Sequence, residues 1–220
     1  MSKTLPCSTT KRERRPDARP GEILSAALLA FSKLGFTAAR MEDVAREAGV
    51  SKGTVFRYFP TKSDLFKAVV HAHIGPRFEA WRELIKHATG PTGALIEELM
   101  LRWWRDTGST PAAAISRIFL QEAQQFPDLA EYYETHVIQP GRDILQSIFE
   151  RAVAREEFRN TDFEAVKALA MAPLLMLAMT HHDSVMRSAL LAPNQTPEQL
   201  ISKMVDVIVH GLQQPTGEVS

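Results

Sequence analysis

Residues 45–62 have the sequence AREAGVSKGTVFRYFPTK, which contains the signals for two short helices and the turn between them. Gly49 can adopt the left-handed conformation that closes a helix, and Ser51 is a favourable N-cap for the next one. Apolar residues recur where one helix face would bury them: Val50, Val55 and Phe59. The stretch therefore predicts a helix over about 41–48, a tight turn, and a second short helix that ends near Phe59.

Two short helices joined by a turn of three or four residues that contains glycine form the helix-turn-helix pattern. Burial of the apolar face would leave the opposite face of the second helix outward. That outward face holds polar and basic residues: Ser51, Lys52, Gly53, Thr54, Arg57 and Tyr58. No acidic residue occurs from Val50 to Ser63. This favours a DNA-binding surface over the alternative, an ordinary helical hairpin with a solvated polar face.

Each of these residue types suits a contact with duplex DNA. Lys52 can donate to guanine O6 and N7 or to phosphate, and Thr54 can use its hydroxyl or its methyl group. Gly53 lacks a side chain, so the first turn can approach the DNA backbone closely, where a helix N-terminus favours phosphate. Tyr58 and Lys62 are better placed for phosphate, a contact that positions the protein without reading sequence.

The net charge of zero conceals two oppositely charged parts of the chain. Residues 1–62 contain 12 Lys and Arg against 6 Asp and Glu, a net charge of +6. The remainder contains 14 against 20, a net charge of −6. A basic patch is the electrostatic footprint of nucleic-acid binding, although charge halves of this size also arise on solvated faces.

The sequence also restricts the cellular compartment. Cys7 is the single cysteine, so no intramolecular disulfide can form. The first twenty residues contain no apolar signal region. The longest apolar run, Ala168–Met179, has twelve residues, too few to cross a bilayer. We therefore expect a soluble cytoplasmic protein that does not contact a membrane.

Helical periodicity covers the chain from Gly21 onward without sustained two-residue alternation, so the fold class is predicted as all-α. Residues 1–19 form a basic arm that we expect to be disordered. Residues 20–66 form a three-helix domain with the helix-turn-helix, called the head below. Residues 67–220 form a second helical domain, called the body.

Several helix boundaries can also be predicted. Gly35 is expected to stop the first helix. Thr61 is expected to cap the fourth helix, which Gly75–Pro76 should bend or interrupt. Pro173 should kink the helix that contains it. Further helices are predicted over about 92–106, 111–126, 128–156, 162–182 and 196–213.

Residues 35–65 also resemble the TetR family of bacterial transcriptional regulators. The family pattern is a Gly-aromatic pair that ends the first helix, then a segment like D-[IV]-A-x-x-A-G-V-S-x-G-[TS]-x-Y-x-Y-F-x-x-K-x-x-L. This chain has GF at 35–36 and DVAREAGVSKGTVFRYFPTKSDL from Asp43 to Leu65. The resemblance covers about residues 20–70. It implies an N-terminal DNA-binding domain followed by a C-terminal helical ligand-binding and dimerisation domain.

The resemblance also assigns roles to individual residues. It implies contact with the major groove or with phosphate for Ser51, Lys52, Gly53, Thr54 and Tyr58, and with phosphate for Lys62. Two positions depart from the family pattern. Phe56 stands where the family often has tyrosine, so a phosphate hydrogen bond is lost. Arg40 stands where many members have a Ser or Thr N-cap, and we expect its side chain to reach a phosphate instead.

Two C-terminal segments, about 162–182 and 196–213, are apolar on more than one face. A monomer can cover one face of each helix, so the other face predicts a partner. A two-fold interface of four helices would make a homodimer, the commonest symmetric assembly. The alternative is that both helices are central in a monomeric core.

The middle helices combine aromatic and charged residues in a pattern that suits a small-molecule site. The candidate ligand-binding residues are Trp103, Trp104, Phe119, Glu122 and Met176, and the alternative for each is ordinary core packing. The sequence has no phosphate-binding GxxxxGK loop and no GxSxG elbow. His71 and His73 diverge on a helix, which disfavours a zinc site. We expect no catalytic site, metal or cofactor.

Together these features predict a homodimeric, ligand-responsive repressor. Its two heads would enter successive major grooves of a pseudo-palindromic operator in double-stranded DNA, with centres about 34–36 Å apart. A small molecule in the body would release the DNA, a switch that the resemblance implies. Two alternatives stay open: a DNA-binding protein without an effector, and a helical carrier or enzyme whose N-terminal hairpin is incidental.

Overall fold

The computed structural model describes residues 20–181 and 184–213, and within those ranges every regular element is a helix. The all-α fold class is therefore confirmed, while the arm over residues 1–19 lies outside the described residues. The helices are α1 (Pro20–Ala38), α2 (Met41–Ala48), α3 (Lys52–Tyr58), α4 (Lys62–His87), α5 (Thr92–Trp103), α6 (Ala113–Glu122), α7 (Pro127–Tyr133), α8 (Gln139–Ala154), α9 (Phe163–Thr180), α10 (Ser184–Leu190) and α11 (Pro197–Leu212).

The head consists of α1 to α3 and the first turns of α4. Its core contains three phenylalanine rings in mutual contact: Phe31, Phe36 and Phe66. Phe66 meets both other rings edge-on, with centroid distances of 5.4 and 5.3 Å, a favourable aromatic geometry. Val55 of α3 and Leu65 of α4 are fully buried in the same core. Val55 thereby fixes α3 against this core, where α3 packs beside α2.

The predicted helix ends of the head are confirmed. Gly35 has a φ of 76° and breaks the helical path of α1, and Gly49 closes α2 in the left-handed conformation at φ 68°. Ser51 caps α3 by accepting a hydrogen bond from the Thr54 amide at 3.1 Å. Thr61 caps α4 in the same way, accepting from the Asp64 amide at 3.0 Å.

Helix α4 passes without interruption from the head into the body. It crosses the predicted domain boundary between residues 66 and 67 and continues through Pro76 to His87. Of the two expectations for Gly75–Pro76, the interruption was therefore wrong, and the bend stays a prediction. Ile74 and Phe78, on either side of the proline, are both buried in the core. We attribute the continuous helix to this packing, which offsets the one backbone hydrogen bond that proline removes.

The body contains a second hydrophobic core in which α9 and α11 pack together with the segment after α5. Trp104, Leu174, Leu177 and Ile201 are almost completely buried there. The long helix predicted over 128–156 is α7 and α8 joined by a π-helical turn, Glu134–Ile138. Helix α10 was not predicted. Helix α9 continues through Pro173, like α4 through Pro76.

Two helices of the described residues, α1 and α9, are long and apolar enough to cross a membrane by length and composition alone. The twelve-residue apolar run noted in the sequence, Ala168–Met179, lies within α9, which extends over 18 residues. The apolar residues of α1 pack into the core of the head. Helix α9 buries one face in the body and leaves other apolar residues exposed, including Leu169 and Met176.

Candidate nucleic-acid interface

The recognition helix α3 presents a polar face opposite its buried residue. Val55 is 0% exposed and Val50 is also buried, so these side chains fix the orientation of the helix. The residues predicted to contact DNA lie outward: Ser51, Lys52, Gly53, Arg57 and Tyr58 are exposed, and Thr54 is partly exposed. The structure therefore brings these six residues together on one surface, and their contacts with DNA stay a prediction.

The first turn of α3 is held by hydroxyl groups. Ser51 Oγ lies 2.9 Å from Thr54 Oγ1, in addition to accepting the Thr54 amide. A Cβ built on Gly53 would meet only Ser51 Oγ, at an ordinary 3.8 Å. Packing inside the protein therefore does not require glycine at this position, which favours the prediction that Gly53 permits close approach to a DNA backbone.

Two cations of the recognition surface already have partners in the free protein. Lys52 Nζ lies 2.5 Å from Glu42 Oε1 of α2 and 5.4 Å from the centre of the Phe56 ring. The hydrogen bond from Lys52 is the main reason that the pKa of Glu42 lies below its ordinary value. Arg57 donates to the Tyr58 hydroxyl at 3.1 Å and lies over that ring. Sequence reasoning missed Glu42, because an acidic residue does not suggest a DNA contact.

Lys62 does not point a free ammonium group outward. Its Nζ donates to the backbone carbonyls of Phe36, Thr37 and Ala39 at 2.6, 3.0 and 3.0 Å, and it lies over the Phe36 ring. An ammonium group has three donors, so all three are used inside the head. The phosphate contact predicted for Lys62 therefore lacks a free donor in this structure. Burial is the main cause that lowers the pKa of Lys62, and nearby Glu122 opposes it.

Arg40 occupies the N-cap position of α2 without capping through its side chain. Its backbone N–H donates to the Asp43 carboxylate at 3.0 Å, and the Arg40 side chain is exposed. Asp43 also accepts from Arg46 at 2.6 Å. The helix start is thus stabilised by Asp43, which leaves the Arg40 guanidinium available for the phosphate contact that stays a prediction.

Glu122 was predicted to bind ligand, but its carboxylate is used by the head. Oε1 accepts a hydrogen bond from the Phe36 amide at 2.9 Å, and Oε2 accepts from the amide and hydroxyl of Thr37 at 2.7 and 2.5 Å. Burial acts to raise the pKa of Glu122, yet these hydrogen bonds outweigh it and the pKa lies below its ordinary value. Both carboxylate oxygens therefore already have partners in the head, and the ligand-binding role of Glu122 stays a prediction.

The other predicted ligand residues do not form one site. Phe119 stacks on Tyr133 with ring centres 4.1 Å apart, at the junction of body and head. Trp104 is buried in the second core, where its Nε1 donates to Glu198 at 2.9 Å, and Trp103 packs beside it. Met176 is 46% exposed on α9. Helical spacing alone does not show that these side chains lie on different parts of the body, and their roles in ligand binding stay predictions.

An open cleft of about 710 Å³ lies between α5 and α11. Its lining includes Gly93, Glu97, Glu157, Lys203, Asp206 and Val209, and none of the five predicted ligand residues lies along it. Among the described residues, groups of three or more His, Cys, Asp or Glu placed to hold a metal ion are not found.

Comparison with known families agrees with this geometry. Residues 23–69 match the family model described as bacterial regulatory proteins, tetR family, and residues 89–192 match the model of a tetracyclin repressor-like C-terminal domain. The chain belongs to the TetR family of transcriptional regulators. The first match covers the head from α1 into α4, and the second covers the body from α5 through α10.

Individual relatives resemble different portions of this TetR-family chain. It is 48% identical over 63 residues to the HTH-type transcriptional regulator RutR of Escherichia coli K12, covering 29% of the chain and 30% of RutR. It is 27% identical over 179 residues to the uncharacterized regulator YfiR of Bacillus subtilis, covering 79% and 81%. The chain therefore spans less than a third of RutR's length in that alignment.

Solved structures share the whole fold at low identity. FadR of Bacillus subtilis in complex with stearoyl-CoA matches with a TM-score of 0.70 at 16% identity, covering 89% of this chain and all of FadR. The ketosteroid regulator KstR2 of Mycobacterium tuberculosis matches with a TM-score of 0.67 at 16% identity, covering 93% of this chain and all of KstR2. At such identities the likeness shows the fold alone.

Proposed function

We propose that this TetR-family chain is a homodimeric, sequence-specific DNA-binding repressor whose release is controlled by a small molecule. The observation that carries the proposal is the outward face of α3, where Lys52, Thr54 and Arg57 lie opposite buried Val55. This face belongs to the part of the chain with net charge +6. A basic, hydroxyl-rich helix in the major groove can contact both base edges and phosphates.

The exposed faces of α9 and α11 support dimerisation. On α9, exposed small and apolar residues recur at helical spacing: Ala165, Ala168, Leu169, Ala172 and Met176. On α11, Leu200, Met204, Val207 and Gly211 follow the same spacing and are partly or fully exposed. Leu169 and Val207 are 67% and 71% exposed. An apolar patch of this kind favours a second copy of the chain as its partner.

The body is proposed to bind an apolar small molecule. FadR was solved with stearoyl-CoA, and KstR2 is described as a ketosteroid regulator, and these names support an apolar effector class. Binding to a conformation of the body in which the heads no longer match the operator would release DNA. The coupling is reciprocal, so DNA must weaken effector binding by the same factor.

The test is selection of bound duplexes from a random DNA library by the purified protein at a stated salt concentration. An enriched inverted repeat supports sequence-specific recognition by a two-fold dimer. Binding without an enriched motif, with a strong salt dependence, would favour the DNA-binding protein without sequence preference. Absence of DNA binding would favour the helical carrier or enzyme and contradict the proposal.

The recovered operator then tests the effector. Acyl-CoA thioesters and steroids are added to the protein–operator complex, and release is followed by fluorescence anisotropy. Release by a compound of either class supports the apolar effector, provided that the same compound binds the free protein more tightly than the complex. Operator binding that no compound of either class changes would contradict an apolar effector of these two types.

A further inference from the structure

Helix α6 of the body contacts the end of α1 in the head through hydrogen bonds made by two charged side chains. Glu122, the last residue of α6, accepts hydrogen bonds from the Phe36 amide and from the amide and hydroxyl of Thr37. One turn earlier on α6, Arg117 donates to the Ser32 carbonyl at 2.5 Å. The Glu122 carboxylate thus accepts from N–H donors. The Arg117 guanidinium donates to a carbonyl at the C-terminal end of a helix, where positive charge is favourable.

Gly35 lies between these two contacts, and its backbone conformation allows the one with Glu122. Its φ of 76° and ψ of 174° turn the chain so that the next two amides point toward α6. A Cβ at this position would lie 2.9 Å from Glu122 Oε1, closer than such contacts allow. In the Gly-Phe pair of the family pattern, the Phe36 amide therefore has the carboxylate of Glu122 as its hydrogen-bond partner here.

The carbonyl side of the same segment is held by α4. Lys62 donates to Phe36, Thr37 and Ala39, so residues 36–39 lie between a cation on α4 and an anion on α6. Phe126, just beyond α6, adds an edge-on contact to the Phe36 ring at 4.8 Å. Charge-assisted hydrogen bonds are short and directional, so this arrangement restrains rotation of the head against the body.

We propose that Glu122 is a positioning residue for DNA binding: by fixing the head to α6, it sets the separation of the two recognition helices in the dimer. This inference rests on the proposed function. The dimer faces of α9 and α11 lie in the body, so the separation of the two heads depends on how each head is held to its own body. Glu122 touches no DNA in this role and leaves base recognition to α3.

The experiment compares the purified wild-type protein with Glu122→Gln on operators whose half-sites are kept and whose spacer is one base pair longer or shorter. The glutamine side chain keeps one acceptor oxygen for one of the two backbone amides. Its NH2 group is a donor and cannot accept a hydrogen bond from the other amide. For wild type we expect the altered spacers to reduce affinity by about tenfold or more. For Glu122→Gln we expect the penalty to shrink to about threefold, with unchanged half-site preference in a random-library selection.

Matched variants separate positioning from stability. Glu131→Gln makes the same change at an exposed residue of α7 and should keep the wild-type penalty. Thr37→Val removes only the hydroxyl contact and should give an intermediate penalty, which keeps the test available if Glu122→Gln fails to fold. A loss of stability alone would lower the active fraction for all spacers equally and would not change their ratio.

Hydrogen exchange of the free protein provides an independent measurement. The Phe36 and Thr37 amides should exchange at least about tenfold faster in Glu122→Gln than in wild type, with Glu131→Gln unchanged. A wild-type spacer penalty in Glu122→Gln together with unchanged exchange would overturn the inference. If wild type itself enriches no inverted repeat, the proposed function fails, and the exchange measurement still decides whether Glu122 anchors the head.

Discussion

Lys52 Nζ lies 2.5 Å from Glu42 Oε1, so the residue predicted to contact bases is paired with a carboxylate in the free protein. The side chains are 55% and 51% exposed, and exposed pairs of this kind contribute little to stability. The pair instead holds Lys52 toward α2 and over the Phe56 ring. The predicted contact of Lys52 with DNA would require DNA to replace Glu42 as its partner, so Glu42 would influence binding without contacting a base.

Replacement of this carboxylate should strengthen binding to DNA of any sequence. In Glu42→Gln the ammonium group of Lys52 is free to contact phosphate, so we expect higher affinity for random duplex and a salt slope steeper by about one unit. Fluorescence anisotropy titrations across a salt series measure both. Glu47→Gln, which removes a like charge from the same helix, is the control for net charge. Equal effects of the two variants would contradict a specific role for the pair.

Substitution of Lys62 should reduce the stability of the protein. Lys62→Met leaves the carbonyls of Phe36, Thr37 and Ala39 without their donor, which should cost roughly 1–3 kcal/mol of unfolding free energy. Lys52→Ala should lower operator affinity or relax its specificity without this cost. Denaturant unfolding and operator titrations separate the two variants. A Lys62→Met protein of wild-type stability whose salt slope is flatter by about one unit would restore the phosphate role.

Gly35→Ala should destabilise the protein through backbone strain and through contact with Glu122. The φ and ψ of Gly35 lie in a region that is essentially restricted to glycine, so the strain should cost about 1–3 kcal/mol. The close approach of the new Cβ to Glu122 Oε1 adds to it. A double-mutant cycle with Glu122→Ala should show non-additive losses, because the second change removes the contact but not the strain.

The matched control for this substitution is Gly141→Ala in α8, where a Cβ would make an ordinary contact at 3.8 Å with Phe78. Since glycine in a helix interior is less stable than alanine, Gly141→Ala should stabilise by up to about 1 kcal/mol. Thermal or denaturant unfolding measures each variant. Equal stability changes at positions 35 and 141 would show that the backbone conformation of Gly35 carries no cost.

Alkaline pH should destabilise the fold through Tyr133. Burial raises the pKa of Tyr133 to about 12 from its ordinary 10.0, while the hydrogen bond to Ser116 at 2.9 Å acts in the opposite direction. A pKa raised by folding means that this contribution is fully present below pH 10 and is lost as pH rises through 12. Unfolding free energies measured across that range should fall in wild type.

Tyr133→Phe should reduce this alkaline loss, at a cost of about 1 kcal/mol near neutral pH from the lost hydrogen bond. The matched control removes the hydroxyl of exposed Tyr58 instead. Phenolate absorbance followed in wild type and Tyr133→Phe assigns the late-titrating tyrosine. An unchanged alkaline fall in Tyr133→Phe would assign the loss of stability to other groups.

A charge in the exposed apolar face of α9 or α11 should prevent dimerisation. Leu169→Asp and Val207→Asp each place a carboxylate in the proposed interface, where it would be buried without a partner. We expect monomers by sedimentation velocity, with helical content near wild type. Leu120→Asp alters a 56% exposed residue of α6 and should leave the dimer intact. Dimers in both interface variants would exclude these faces as the interface.

The local features of the head could be predicted because they depend on neighbouring residues. Ser51 and Thr61 cap helices whose first amides lie three residues away, and Gly49 closes α2 through its own backbone conformation. The polar face of α3 follows from helical spacing once Val55 is buried. In the same way, apolar residues on more than one side of α9 predicted a face that the monomer leaves exposed.

The contacts that sequence reasoning missed join residues distant in sequence. Lys62 and Glu122 suggested a phosphate contact and a ligand contact, because an isolated charge on a helix gives no indication of its partner. Their partners are backbone groups of residues 36–39, 23 to 86 positions away. Trp104 and Met176 lie in helices whose mixture of residue types suits a ligand pocket. In the structure Trp104 is buried in the core and Met176 is exposed.

The helices of the head, their caps, the polar face of α3 and the family could be predicted from the sequence, because each depends on residue types at short, fixed spacings. Which charged side chains bond to the backbone of the head and which face outward depends on tertiary contacts. The peptide groups of buried Phe36 need hydrogen-bond partners, and the packing of α4 and α6 against α1 brings Lys62 and Glu122 to them. The cations of α3 lie on the exposed face, and their contacts with DNA stay a prediction.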